Sequence, residues 1–136
     1  MRKIVFLGPV VIGMALAFLT ACKSDSPSEI VGYKTTMKVP SVFNAGKIAR
    51  GEVIHANFVV ENTGDQPLVL SDVSGSCSCT VADWSKEPIP PGEKGFVKAD
   101  VKTESFSEGP VTRSVTILSN TTPPSTKVVV EATIIK

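Results

Sequence analysis

The chain has 136 residues, with 14 Lys+Arg against 13 Asp+Glu and a formal net charge of +1. That length suits one ordinary domain rather than several. A near-neutral chain without a basic block lacks the electrostatic footprint of a nucleic-acid binder, so no nucleic-acid partner is expected.

The first element in chain order reads as a targeting segment. Arg2 and Lys3 make a short positive start, and residues 4–19 follow without a charge, interrupted by Gly8, Pro9 and Gly13. A helix that crosses a bilayer core needs about 20 mostly apolar residues, and this run is shorter. It ends in Leu19-Thr20-Ala21-Cys22, which resembles the lipobox of bacterial lipoproteins. Small residues before the cut fit a narrow peptidase site. The Cys22 thiol then takes the diacylglycerol, and its freed amine can be acylated. Several chains matter, because one alone gives only marginal membrane binding. Residues 1–21 are therefore expected to be a cleaved lipoprotein signal peptide, with Cys22 the lipidation site. Apart from that covalent lipid no cofactor is expected.

Residues 22–33 read as the lipidated cysteine and a flexible tether, since the stretch after Cys22 is polar, contains Pro27 and has no apolar period. Lys23 rather than Asp follows Cys22. By the pattern of enteric lipoproteins, that favours the outer over the inner membrane of the cell envelope. The side of the membrane stays open. Without residues 1–21 the chain has 115 residues, 12 Lys+Arg against 13 Asp+Glu and a net charge of −1.

Residues 34–136 carry short runs rich in Val, Ile and Thr, separated by Gly, Pro and Asn, with no long helical period. A first strand is expected over residues 33–42, running into a turn at Phe43-Asn44-Ala45-Gly46. Residues 52–62 are the clearest strand, with Ile54, Ala56, Phe58 and Val60 on one face and His55, Asn57 and Glu61 on the other. Asn62-Thr63-Gly64-Asp65 is a turn signal. Strands are then expected over 66–73, 77–84, 95–101, 111–119 and 127–135. Seven short strands in this length fit a single all-β, immunoglobulin-like β-sandwich.

Several of these residues also carry a resemblance. Glu61-Asn62-Thr63-Gly64, Pro67-Leu68, Ser76-Cys77-Ser78-Cys79-Thr80, Pro90-Pro91-Gly92-Glu93-Lys94-Gly95 and Ser119-Asn120 together resemble a bacterial lipoprotein family, domain of unknown function 1573, common in Bacteroidetes. The resemblance runs from about Val42 to the end of the chain. It implies an immunoglobulin-like domain of the Hydin and major-sperm-protein type, whose relatives act as protein-interaction or scaffolding modules. One departure stands out. The family usually has Cys-Gly-Cys where this chain has Cys77-Ser78-Cys79, and serine lacks glycine's freedom in a tight turn.

Cys77 and Cys79 are the one constellation with evident chemistry. In an extended strand they would share a face about 6.5–7 Å apart, at or beyond the limit for an unstrained disulfide, so a bridge needs a bend. Three readings stay open. The preferred one is structural, with buried thiols or a local bridge. The others are a soft-metal site of the Cu(I) kind and a thiol-redox site. No metal site is assigned with confidence. His55, the single histidine, reads as a solvated strand residue, and Trp84 as a core residue at the sandwich end. Asn120-Thr121-Thr122 matches a glycosylation sequon but is better read as a turn. No catalytic motif is found, so no catalytic residue is assigned and no enzyme is expected. The expected function is a membrane-tethered, non-catalytic module that binds or scaffolds an envelope protein. The alternative is metal handling or thiol-redox chemistry at Cys77-Ser78-Cys79.

Overall fold

The computed structural model describes residues 32–136. The expected signal peptide, Cys22 and all but the end of the tether lie outside those residues. Within them are eight strands: β1 (Met37–Lys38), β2 (Val42–Ala49), β3 (Val53–Asn62), β4 (Leu70–Gly75), β5 (Thr80–Trp84), β6 (Lys94–Lys102), β7 (Gly109–Ser119) and β8 (Ser125–Ile135). They form two four-stranded sheets, ordered β1-β3-β6-β5 and β2-β8-β7-β4. The architecture is the all-β sandwich read from the sequence.

Alternation explains why the sheets stack. On β3 the side chains of Ile54, Ala56, Phe58 and Val60 are buried, and on β6 those of Val97, Ala99 and Val101. The facing sheet supplies Val115 and Ile117 from β7, and Val128, Val130, Ala132 and Ile134 from β8. Burying each Val, Ile or Phe stabilises by roughly 1.5–3 kcal/mol. No single polar contact competes with that double layer.

The N-terminal strands differ from expectation. The run over residues 33–42 yields only the two-residue β1, and β2 passes straight through the expected turn at Phe43-Asn44-Ala45-Gly46. Two features account for this. Pro40 has no N–H to extend a ladder, and the chain crosses there to the second sheet, where Val129 N donates to Ser41 O at 2.8 Å. β2 then runs parallel to β8, with a register shift between Asn44 and Lys47. The residues that looked like a turn build this β-bulge: Gly46 takes a φ of 71°, and its N–H donates to Asn44 Oδ1 at 2.8 Å.

Two later strands start further on than expected. Leu68 lies outside β4 and forms an isolated bridge with Ile89, donating to its carbonyl at 2.9 Å and accepting at 2.8 Å. β5 begins at Thr80, so both cysteines precede it.

Candidate functional site

Cys77, Ser78 and Cys79 form the passage from β4 in one sheet to β5 in the other. Each end is tied to a different sheet. Ser76 N donates to Ser114 O of β7 at 2.8 Å, and Lys102 N of β6 donates to Cys79 O at 2.9 Å. A turn bond from Thr80 N to Cys77 O, 3.1 Å, closes the bend. The bend draws the two Cα atoms to 5.2 Å, and the sulfurs are joined as a disulfide. This separation is inside the usual disulfide range, whereas the extended strand would exceed it. The turn forms with the exposed Ser78 at its tip, in place of the family's glycine. Glycine is needed three residues earlier, since a Cβ on Gly75 would overlap the Thr80 side chain. Thr80 Oγ1 also lies 3.4 Å from Cys77 Sγ.

A bridge across two positions closes a very short loop, so its effect on the unfolded chain is small. Replacing both Cys77 and Cys79 by serine is expected to lower stability by only about 1.5 kcal/mol, read as a shift in the urea midpoint. A loss above about 4 kcal/mol would mean that the turn holds the sheets together.

Neither His55 nor Trp84 joins the cysteines. The His55 side chain is 74% exposed on β3, with Nδ1 2.7 Å from Asp100 Oδ1 of β6. Among the described residues no serine hydroxyl is bonded to it, and no group of three or more His, Cys, Asp or Glu side chains converges to hold a metal. Trp84 packs against the core, and its indole N–H donates to Leu70 O at 3.1 Å, joining β5 to β4.

Two asparagines, read from the sequence only as parts of turns and motifs, organise the loops. Asn62 is fully buried. Its Oδ1 accepts from Thr35 Oγ1 at 2.9 Å and from Gly64 N at 3.1 Å. Its Nδ2 donates to Gln66 O at 2.7 Å and Ile89 O at 2.8 Å. Parity was the available signal: position 62 continues the buried series 54, 56, 58 and 60. Asn120, inside the sequon, accepts from Val69 N at 2.8 Å. Its amide donates to Pro67 O at 2.9 Å and Tyr33 O at 3.1 Å, so that nitrogen is occupied by the fold.

The edges of the sheets complete the picture. β1 covers β3 only at Asn62 and Glu61, because the chain leaves at Pro40. Among the described residues no strand pairs with that side of β3 over residues 53–60. Backbone direction follows from the bonds at its end. Asn62 N donates to Glu93 O at 3.0 Å and Gly92 N to Asn62 O at 2.9 Å, so even-numbered β3 residues face β6. Strand alternation then turns the N–H and C=O groups of Val53, His55, Asn57 and Val59 outward. Residues 53–60 contain no Asp, Glu, Lys, Arg or Pro. The other long edges are blunted in the ways expected of edge strands. β2 has its bulge and Lys47, β4 has an irregularity at Asp72, and β5 is five residues long with Asp83.

Fold and site together define an immunoglobulin-like sandwich with a cystine turn at one sheet crossing and an open strand edge on the opposite side. The chain belongs to the family described as Protein of unknown function (DUF1573), which matches residues 37–134. Among solved structures it is similar to a protein of unknown function from Porphyromonas gingivalis W83, with TM-score 0.66 and 19% identity over 80% of this chain and 51% of that one. This chain thus spans about half the length of that relative. It is also similar to PapD-like domain 7 of human CEP192, with TM-score 0.60 and 9% identity over 91% and 98% of the two chains. The secreted serine protease VesC from Vibrio cholerae matches at TM-score 0.56 and 10% identity, over 74% of this chain but only 23% of the protease. At such identities the likeness is one of fold. No curated protein matches the sequence.

Proposed function

We propose that this protein is a lipid-anchored module of the cell envelope that binds another protein through its sheet edge and performs no catalysis. The open edge of β3 carries the reading. Four residues offer backbone donors and acceptors there, with no charge or proline to turn a strand away, and strand addition is an established mode of protein recognition. The likeness to a PapD-like domain is one of fold, and it supports a module over an enzyme. The likeness to VesC covers under a quarter of that protease and supplies no catalytic residue here. Cys77 and Cys79 are better read as a brace for the sheet crossing than as a metal or redox centre, since the turn's backbone is bonded to both sheets. The lipid on Cys22 rests on the Leu-Thr-Ala-Cys sequence and places the domain at a membrane, with outer-membrane delivery preferred.

The test uses the full-length chain in cells, with a photo-reactive phenylalanine analogue in place of Asn57. The chain is expected to sediment with membranes and to give discrete protein adducts on irradiation, and Cys22→Ser is expected to move it to the soluble fraction. Absence of any adduct from the edge would overturn the binding reading. Unchanged sedimentation of Cys22→Ser would overturn the anchor.

A further inference from the structure

From the chemistry of the open edge we infer that its occupant is a second copy of this chain, paired antiparallel through β3 about a two-fold axis. This rests on the reading of the domain as a protein-binding module and names the partner. The outward-facing series is Val53, His55, Asn57 and Val59. Centring the axis on Ala56 sets Val53 against Val59 of the second copy, and His55 against its Asn57. This register matches the open stretch to itself, end for end. It leaves Glu61, already covered by Lys38 of β1, outside the pairing.

The side chains favour like meeting like. Val53 and Val59 are 38% and 49% exposed, on an outward face where polar residues would be expected. Two-fold pairing brings each valine against a valine, the β-branched apolar pair that stabilises neighbouring strands. The open stretch over residues 53–60 carries no Asp, Glu, Lys or Arg, and His55 already faces Asp100 of its own copy, so a copy meets no repulsion. A charged partner strand would find no counter-charge between Val53 and Val60. The four bonded positions supply about eight inter-chain backbone hydrogen bonds and join the two four-stranded sheets into one. Beside Val59, the surface hollow bounded by Lys38, Val39, Pro40, Glu61 and Lys94, about 240 Å³, leaves room at the end of the added strand. An isologous interface of this kind closes on itself and stops at the dimer.

The register permits a test by cysteine pairs in the full-length protein in its own membrane. Val53→Cys combined with Val59→Cys places cysteines opposite one another across the axis, within disulfide reach. Either substitution alone puts the two copies' cysteines about 20 Å apart, as are the two positions within one chain. Under a mild oxidant the double variant is expected to run largely as a covalent dimer on a non-reducing gel, at least tenfold above either single variant. Dimer at the level of the single variants, or equal dimer from all three, would overturn the second copy as occupant. In that event, Asn57 adducts containing a different protein would leave the binding function standing. An edge that yields no adduct would remove both.

Discussion

Replacing Asn62 by leucine is expected to lower the stability of the domain by about 4 kcal/mol, a large part of the 5–15 kcal/mol that holds a typical domain together. The size of the loss follows from what the side chain leaves behind. Thr35 Oγ1, Gly64 N, Gln66 O and Ile89 O each lose a partner, at a fully buried position. A buried polar group without a partner costs about 1–3 kcal/mol, so even partial access of water leaves a deficit of the stated size. Leucine is close to asparagine in shape, which isolates the hydrogen bonds from packing. For a domain of this length, thermal unfolding should show a fall in Tm of about 15–30 °C. A fall below about 5 °C would show that the loops find other partners and that Asn62 does not organise them.

Phe58 to alanine is the second large effect, of opposite physical kind. The ring is buried between the sheets and meets Phe43 of β2 edge to face, with centroids 6.0 Å apart. Removing it takes away transfer free energy and leaves a cavity, together about 3–5 kcal/mol, including the aromatic contact. Urea unfolding should show a lower midpoint with an unchanged slope, since the folded shape is kept. Phe43 is only half-buried, so Phe43→Leu should cost well under half as much. Equal losses would mean that the contact between β2 and β3, rather than the central layer, sustains the fold.

These two residues also mark how far the sequence could be read. Phe58 belongs to a strict period of two, and such alternation needs no knowledge of the partner strand. Every strand with that pattern was legible, including β6, β7 and β8. The pattern failed where local chemistry had two uses. Asn44-Ala45-Gly46 carries the residues of a turn, and it is the pairing of β2 with β8 that makes a bulge of them. Asn62 and Asn120 look like turn residues too, yet their importance lies in bonds to segments far along the chain. The cysteine pair was legible as chemistry but not as geometry, because the bend that brings the two sulfurs together depends on anchors at Ser114 and Lys102. The open edge was least legible of all. It results from the place where Pro40 sends the chain across to the other sheet.

The parallel pairing of β2 with β8 bears on how the domain is made. Val42 lies against Val129, so a strand near the beginning of the sandwich has its ladder partner near the end. Contacts this distant in sequence are slow to form, because a long loop must close before the pairing stabilises anything. A chain still emerging from a ribosome has β2 without its neighbour, and β7 without one side. The sheet cannot be completed until the final strand is free. Topology alone thus keeps the nascent domain open until its last strand has emerged, a state that chaperones must shield from aggregation.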